Sequence, residues 1–290
     1  MIRVRKVEPG DEERIIRLIY KYMKDVDIRK NIWERLFVNH WDLKDYNFGY
    51  VLVNNEEIFG FLGTIICERV INNKLEKFSN LTTFVVDEEF RKNSIALLYP
   101  LLRSKDYTVT AFTSSESADK IYDMAGFKIL ESRMKIIIPN QINSLRHNNI
   151  SVILDNKTIE NTIRDNELKI YNNHLKFKAV YILVKSSNDT CLIIGKKSKV
   201  KIKKIPFSVL HIHYIGNRNI FPKFINCISM KLCFQLKVLG LLVEERYLAD
   251  MKINNFALPY VLPKPYTYKS DTLDSSSIDT LYSEFFLLNI

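Results

Sequence analysis

The sequence contains little glycine, little proline and few cysteines, and each shortage excludes a class of protein. Eight Gly and eight Pro among 290 residues are too few for a collagen-like or low-complexity chain. The four cysteines show no CxxC spacing, and no histidines are grouped with them at metal-ligand spacing. This pattern argues against a zinc module and a disulfide scaffold, so we expect free thiols, no metal site and a reducing compartment.

Long apolar runs are also missing. No stretch approaches the roughly 18 uninterrupted apolar residues of a transmembrane helix, because the most apolar segment, residues 225–243, is interrupted by Lys231, Gln235 and Lys237. The first nine residues lack the apolar core of a secretory signal. We therefore expect a soluble, cytoplasmic protein without a transmembrane segment.

The composition is that of a globular protein, with 47% hydrophobic and 26% charged residues. A length of 290 residues corresponds to about two domains. The net charge of +10 is concentrated in residues 151–290, where 20 Lys and Arg accompany 12 Asp and Glu. This asymmetry indicates an anionic partner near the second half, although a basic surface that only maintains solubility is an equally ordinary interpretation.

Hydrophobic spacing in residues 1–138 predicts a mixed α/β fold with an α+β type of sheet. The expected order is strand, two helices, three strands, helix, strand, helix and strand. The predicted bounds are strand 2–7, helices 12–23 and 31–39, strands 49–53, 58–65 and 77–86, helix 95–102, strand 107–112, helix 117–124 and strand 127–138. The Asn-rich segment 139–150 is predicted to be a linker.

Residues 151–290 repeat part of this order. We predict strands at 178–185, 190–194, 199–203 and 207–215, a helix at 221–239, a strand at 241–248 and a final helix at 278–288. The shared order of strands followed by a helix and a strand suggests a duplicated fold, without a repeat at the level of residues.

Two motifs in the first half carry most of the functional information. Val85-Val86 ends a strand and is followed by Phe90 and the run Arg91-Lys92-Asn93-Ser94-Ile95-Ala96. About 30 residues later, Ala118-Asp119-Lys120-Ile121-Tyr122-Asp123-Met124-Ala125-Gly126-Phe127 ends a helix. Together the motifs resemble the GNAT superfamily of acyl-coenzyme A-dependent N-acyltransferases.

The resemblance implies two tandem GNAT-like domains. Residues 1–138 would be the acyl-coenzyme A-binding domain, residues 139–150 the linker, and residues 151–290 a second, degenerate domain. The implied co-substrate is acetyl-coenzyme A or another acyl-coenzyme A.

A tight loop feeding a helix directs unpaired backbone N–H groups and the positive end of the helix dipole at one spot, which suits a pyrophosphate. By resemblance, the cofactor-binding residues are Phe84, Val85, Val86, Arg91, Lys92, Asn93, Ser94, Ile95 and Ala96, with the backbone of residues 84–86 binding the pantetheine arm. Ser94 replaces the family's first glycine. Ser94 either donates its hydroxyl to the phosphate or indicates that the cofactor site has been lost. The alternative interpretation of the whole motif is an ordinary charged turn between a strand and a helix.

By resemblance, Tyr122 lies near the thioester sulfur, where a phenol can protonate the leaving thiolate. Taken alone, this motif favours the interpretation that Tyr122, Met124 and Phe127 are core residues and that Gly126 ends the helix. The family's asparagine seven residues earlier is Ser115 here. No carboxylate occurs in residues 79–84, where the family often has its base, so the base is unassigned: Asn80 or Thr82 could hold a water, and Glu68 and Glu76 lie on neighbouring elements.

The second half contains two further candidate features, a pair of histidines and a group of lysines. His211 and His213 alternate with apolar residues and point to one face of a strand. They could bind a metal or act as a base, or they could be partly buried or surface histidines without such a role. Six lysines form a basic strand edge, which protects that edge from aggregation or binds anions. They are Lys196, Lys197, Lys199, Lys201, Lys203 and Lys204.

We therefore expect an enzyme that transfers an acetyl or other acyl group from coenzyme A to an amine on a small molecule or sugar. This acceptor could be anionic, since the lysines could bind negative charge. The ending Ile278–Glu284 is similar to that of bacterial acyltransferase-like proteins, which implies an amino sugar acceptor in surface-polysaccharide synthesis. The alternative is a catalytically inactive GNAT-fold module that binds an anionic polymer or a protein. Nucleic acid is not expected, because no aromatic residues accompany the lysines as a stacking platform.

Overall fold

A computed structural model describes residues 2–23, 28–139, 150–187, 189–202, 204–248 and 257–290. The chain divides into two compact units. The first contains Met1–Leu130, Lys264–Ile278 and Tyr282–Ile290, and the second contains Glu131–Pro263 and Asp279–Leu281. This grouping differs from the predicted domains, which assigned all of residues 151–290 to the second domain. Most of the predicted linker, residues 140–149, lies outside the described residues.

The elements up to residue 137 follow the predicted order closely. The strands are β1 (Ile2–Lys6), β2 (Gly49–Asn54), β3 (Glu57–Ile71), β4 (Lys74–Val86), β5 (Tyr107–Ala111) and β6 (Lys128–Ile137). The helices are α1 (Glu12–Tyr22), α2 (Lys30–Trp33), α3 (Tyr99–Arg103) and α4 (Glu116–Met124), with 3-10 helices at Glu34–Phe37 and Glu88–Leu98.

The later residues contain more elements than the sequence predicted. The strands are β7 (Ser151–Ile153), β8 (Val180–Lys185), β9 (Thr190–Ile202), β10 (Ile205–Ile215), β11 (Gly240–Glu244) and β12 (Ala257–Lys269). The helices are α5 (Asn156–Thr162), α6 (Asp165–His174), α7 (Ile220–Lys223), α8 (Ile225–Leu236) and α9 (Glu284–Leu287), with 3-10 helices at Glu245–Tyr247 and Ser275–Ser277.

The two units have the same strand arrangement. In the first, β1, β2, β3 and β4 pair antiparallel in order, β5 is parallel to β4, and β12 is antiparallel to β5. In the second, β7, β8, β9 and β10 pair antiparallel, β11 is parallel to β10, and β6 is antiparallel to β11. The predicted mixed α/β architecture is therefore confirmed, and each unit takes its last strand from the other half of the sequence.

The repeat extends to an irregularity in the fourth strand of each unit. In β4 the register with β3 shifts so that Thr83, at φ +52°, is the extra residue, and Gly63 pairs with the residue before it. In β10 the extra residue is His213, and Gly195 occupies the place of Gly63. The structure thus reveals a residue-level correspondence that sequence comparison of the halves did not show.

Several predicted elements differ from the structure. The predicted helix 95–102 is a 3-10 helix followed by α3, and the predicted strand 199–203 is the end of β9. The predicted strand 241–248 ends at Glu244, and the predicted helix 278–288 contains only α9. Residues 278–288 are all buried. Their apolar pattern predicts a helix, but tertiary packing determines their backbone conformation.

Each unit has its own apolar core. In the first, α1 buries Ile15, Ile16, Leu18 and Ile19, in agreement with the predicted helical spacing. In the second, Phe221, Ile228 and Leu232 are fully enclosed in a cluster of aliphatic side chains from the strands. Among the described residues, no helix has both the length and the hydrophobicity needed to span a membrane.

Gly49 begins β2 at a point of close backbone approach, and this provides a test of the fold. A Cβ at Gly49 (φ +133°) would lie 2.2 Å from the carbonyl oxygen of Leu62, whereas a Cβ at Gly10 (φ +93°) would meet no atom within 4 Å. Both substitutions by Ala incur the cost of a positive φ, about 1–2 kcal/mol. We expect Gly49→Ala to lower the free energy of unfolding by about 3 kcal/mol or more, because the clash adds to that cost.

Urea unfolding of Gly49→Ala and Gly10→Ala measures the difference. Equal losses of stability in the two variants would show that the described approach of Gly49 to β3 is incorrect.

Candidate active site

The ladder between β4 and β5 stops before β4 ends. It pairs Lys77–Leu81 with Tyr107–Ala111, and β4 continues for five residues to Val86. The extra residue Thr83 falls at the start of this continuation, and a bulge increases twist and bends the strand. The last residues of β4 are therefore left beside cavities rather than beside β5.

The larger cavity is a cleft of about 590 Å³, within the usual range for small-molecule sites, roughly 300–1,000 Å³. It combines apolar side chains with hydroxyl groups and one cation. It is lined by Tyr22, Met23, Phe84, Val85, Val86, Arg91, Ser94, Ser115, Ser117, Ala118 and Ile121.

A smaller pocket of about 190 Å³ shares Met23, Phe84, Ser115 and Ala118 with the cleft. Its other lining residues include Tyr122, three threonines and several apolar side chains. These residues are Ile28, Trp33, Leu81, Thr82, Thr83, Ala111, Thr113, Ser114, Tyr122, Leu288 and Ile290. The shared residues place this smaller cavity, the inner pocket, directly beside the cleft.

The cleft brings together five of the nine predicted cofactor-binding residues, namely Phe84, Val85, Val86, Arg91 and Ser94. The other four do not line it. Lys92 and Asn93 are exposed, and Ile95 and Ala96 are half-buried. Ser94, the residue that departs from the family pattern, thus borders the same space as Arg91.

The predicted open loop between β4 and a helix is not what the structure contains. Residues 88–98 form 3-10 turns, in which backbone N–H groups already donate to carbonyls three residues earlier. Arg91 is exposed and forms an ion pair with Glu88, with 3.2 Å between Nη2 and Oε1. Anion binding at this place would therefore depend on the side chains of Arg91 and Ser94 more than on free backbone amides.

Tyr122 lies at the inner pocket, with its side chain only 3% exposed. Its ring stacks on Phe127, with centroids 5.0 Å apart, and on Phe84 at 6.3 Å. Burial, reinforced by the nearby negative charges of Glu284 and Asp119, raises the pKa of the Tyr122 phenol. Its hydroxyl therefore stays protonated and able to donate. Tyr122 is thus a core residue that also borders a cavity, and its position near a thioester sulfur stays a prediction.

Ser115, at the position of the family's asparagine, caps α4. Its Oγ accepts a hydrogen bond from the backbone N–H of Ala118 at 3.3 Å, as expected for a serine N-cap. Ser115 also lines both cavities. The start of α4 is thereby fixed at the place where the cleft meets the pocket.

The structure adds one carboxylate that sequence reasoning missed. Glu284, the first residue of α9, is completely buried, and its Oε1 accepts a hydrogen bond of 2.7 Å from the Thr113 hydroxyl. Burial raises the pKa of the Glu284 carboxyl to about 7, and the hydrogen bonds from Thr113 and Asn80 oppose the rise. A carboxyl with such a pKa can exchange a proton near neutral pH.

No local signal in the sequence identifies Glu284, which is 171 residues away from Thr113. The residues that the sequence offers for holding a water or acting as the base lie on β4 and on neighbouring elements. Asn80 and Thr82 are buried, and Glu68 pairs across the β3–β4 ladder with Lys77. The carboxylate instead comes from the C-terminal segment of the chain.

The histidines of the second half are buried together. His211 and His213 have ring centroids 4.0 Å apart, and His213 Nδ1 lies 2.8 Å from Thr280 Oγ1. Burial and the positive charge of Lys196 lower the pKa of His211 to about 3, so the ring is neutral. The described residues contain no group of three or more His, Cys, Asp or Glu side chains that could hold a metal.

The predicted lysine edge coincides with the second part of β9. Lys197, Lys199 and Lys201 are exposed, whereas Lys196 is buried. These residues pair with β10 on one side, and the pairing of β9 with β8 ends at Gly195. Lys203 lies outside the described residues. An anion-binding role for these lysines stays a prediction.

The raised pKa of Glu284 leads to a prediction about stability. Between about pH 4.5, the ordinary value, and about pH 7 the folded protein holds a proton that the unfolded chain has released. The free energy of unfolding therefore falls as pH rises through this window, by about 3 kcal/mol. Glu284→Gln stays neutral and can still accept from Thr113. We expect it to lack this decline and to be more stable than the wild type at pH 8.

Denaturant unfolding at pH 5 and pH 8 checks this expectation, with the exposed Glu116 replaced by Gln as the control. A decline with pH that is identical in the wild type and Glu284→Gln would contradict it.

Comparison with known proteins identifies the fold. No protein-family model matches the sequence, and no curated protein matches it. Solved structures do match. A GCN5-related N-acetyltransferase from Anabaena variabilis superposes with a TM-score of 0.58 at 10% identity, covering 93% of this chain and 72% of that one. One from Kribbella flavida gives 0.55 at 11% identity, covering 92% and 70%.

A GCN5-related glucosamine N-acetyltransferase region of a fungal multi-domain β-N-acetylglucosaminidase also matches. Its TM-score is 0.55 at 12% identity, with 93% of this chain and 38% of that chain covered. At such low identities the likeness establishes architecture only. The resemblance inferred from the two sequence motifs is thereby confirmed for the fold: this chain has the fold of the GCN5-related N-acetyltransferases.

Proposed function

We propose that the first unit transfers an acyl group from an acyl-coenzyme A to an amine acceptor. The observation that carries this proposal is the cleft bordered by Phe84, Val86, Arg91 and Ser94, which shares lining residues with the inner pocket at Tyr122. The fold, which is that of known N-acetyltransferases, supports the same reaction class.

The side chains of the cleft fit the chemistry of coenzyme A. The Arg91 guanidinium and the hydroxyls of Ser94 and Ser117 are suitable donors for phosphate oxygens. Phe84, Val85 and Ile121 provide apolar contact for a pantetheine arm. When bound, an acyl-coenzyme A would supply an activated thioester, and the residues of this chain would bind it, orient it and manage protons.

The roles of individual groups follow from their positions. The backbone of residues 84–86 continues beyond the β5 ladder, so its amides can orient the thioester and polarise its carbonyl. Tyr122 has a hydroxyl that remains protonated beside the inner pocket. It is the group that would protonate the leaving thiolate.

For the acceptor we propose a small molecule that carries an amine, with an amino sugar as the leading class. One structural relative is a glucosamine N-acetyltransferase region, which supports this choice. A role in surface-polysaccharide synthesis and an acceptor that carries negative charge belong to the same proposal.

The alternative, an inactive binding module, depended on Ser94 and on the missing carboxylate. Ser94 borders the cleft beside Arg91 and does not fill it. Glu284 supplies a buried carboxylate that hydrogen-bonds a residue of the inner pocket. Both observations favour the enzyme.

The cofactor assignment is tested by charge reversal at Arg91. Arg91→Glu places a carboxylate in the cleft, and we expect the affinity for acetyl-coenzyme A to fall at least tenfold, about 1.4 kcal/mol. Isothermal calorimetry at physiological salt measures the change. Arg103→Glu, an equally exposed charge reversal outside the cleft, serves as the matched control. Unchanged affinity in Arg91→Glu, or no affinity in the wild type, would exclude this cofactor site.

The role of Tyr122 is tested by removing only its hydroxyl. Tyr122→Phe keeps the stacking on Phe84 and Phe127, so turnover should fall about 10²–10⁴-fold while thermal stability is retained. Tyr171→Phe, which removes the hydroxyl of a buried tyrosine in the second unit, is the control. Steady-state kinetics with acetyl-coenzyme A and an amino sugar give the answer, and full turnover by Tyr122→Phe would show that Tyr122 serves packing alone.

A further inference from the structure

Thr113 connects the inner pocket with the buried carboxylate of Glu284. Thr113 follows β5, is exposed and lines the pocket. Its hydroxyl donates to Glu284 Oε1 across 2.7 Å, and Glu284 has no exposed surface. These contacts define a route from the pocket to the carboxylate through the threonine hydroxyl.

A transferase of this kind must remove a proton from its acceptor. An amine is protonated at neutral pH and becomes nucleophilic only after the proton is lost. A threonine hydroxyl has one proton and two lone pairs. While Thr113 donates its proton to Glu284, a lone pair of its oxygen remains available to accept a hydrogen bond from an amine in the pocket.

We propose that Thr113 and Glu284 form a proton relay, in which Thr113 receives the proton of the acceptor amine and Glu284 receives the proton of Thr113. The inference rests on the proposed acyl transfer and assigns its missing base. Glu284 acts through Thr113 and does not itself contact the acceptor.

The relay balances the protons of the reaction. The amine nitrogen forms a bond to the acyl carbon, and the bond between that carbon and sulfur breaks with its electron pair going to sulfur. Two protons leave the nitrogen of a protonated amine. The first passes to Thr113 Oγ1 as the Thr113 proton passes to the Glu284 carboxylate, which frees the nitrogen lone pair for attack. The second is lost to solvent once the nitrogen is bonded to the acyl carbon. Tyr122 protonates the thiolate. Release of the Glu284 proton and reprotonation of Tyr122 then restore the starting state.

The relay is held in place from several sides. The Phe285 ring stacks on Phe112 with centroids 6.0 Å apart, so the residues next to Glu284 and Thr113 are packed together. Arg35 Nη1 donates to the carbonyl of Leu287 at 3.3 Å, which anchors the far end of α9.

The polar groups around Glu284 come from three elements. Asn80 on β4 and Thr113 after β5 are neutral donors that lower the pKa of the carboxyl. Among the described residues, the ionisable side chain that interacts with Glu284 is Tyr122 on α4, which stays protonated. Burial is the first cause of the raised pKa of Glu284, about 7, so the relay should be active above this pH and inactive well below it.

The test measures the pH profile of kcat/KM together with the titration of the carboxyl itself. The variants are Glu284→Gln, Thr113→Val and Thr113→Ser. The control is Glu167→Gln, which alters a carboxyl in the second unit whose pKa burial also raises. Infrared spectra over pH 5–9 follow the band of the protonated carboxyl without any substrate, and calorimetry with acetyl-coenzyme A verifies that each variant keeps its cleft.

For the wild type and Glu167→Gln we expect kcat/KM to rise with pH through a midpoint near 7, in step with loss of the infrared band of Glu284. Glu284→Gln should lack that band and the midpoint, with kcat/KM lowered about 10²–10⁴-fold at pH 8. Thr113→Val removes a hydrogen bond that stabilises the carboxylate, so the infrared midpoint should move to higher pH and turnover should fall. Thr113→Ser should restore both.

Two outcomes would overturn the inference, and they are distinguishable. If the wild type is active and Glu284→Gln keeps its pH profile, the relay is wrong and the proposed function stands. If the wild type binds acetyl-coenzyme A but acylates no amine in a panel of amino sugars and aliphatic amines, the proposed function is wrong and the relay with it.

Discussion

The pairing of β12 with β5 is the interaction on which the candidate site depends. Thr267, Tyr268 and Lys269 pair with residues 109–111, and the Lys269 ammonium donates to the carbonyl of Ala125 at 3.0 Å, just past the end of α4. These contacts fix the start of the C-terminal segment in the first unit. The segment then leads to α9, which places Glu284 behind Thr113. Without this strand the pocket would have no carboxylate.

The register shift in β4 is the second requirement. A parallel ladder that continued beyond Leu81 and Ala111 would bring the next residues of β4 and β5 together and leave no space between them. The extra residue Thr83 adopts φ +52°, which is costly for a β-branched side chain. This strain persists at the wall of the inner pocket, where it separates the strand ends and exposes the last residues of β4 to the cleft.

The parts of the site that depend on neighbouring residues could be predicted from the sequence, and those that depend on distant segments could not. The helix Glu116–Met124 and the strand before Arg91 follow from local spacing. β12 was missed because Pro259, Pro263 and Pro265 argue against a strand, yet its pairing with β5 begins only after the last proline. Glu284 was missed for a different reason, because no pattern in the neighbouring sequence relates it to Thr113.

The second unit has a different arrangement of charged groups at the matching end of its strands. By register, its residue Glu244 corresponds to Thr113, and His213 corresponds to Thr83. Glu244 is buried beside the Arg246 guanidinium, with 2.5 Å between Oε2 and Nε, so a cation lies next to this carboxyl group. In the first unit, Glu284 has no cationic partner among the described residues and meets a threonine hydroxyl instead. Burial raises the pKa of the Glu244 carboxyl, and the Arg246 guanidinium opposes that rise. At Glu284 the groups that oppose the rise are neutral donors, and one of them, Thr113, lines a cavity through which a proton can be exchanged.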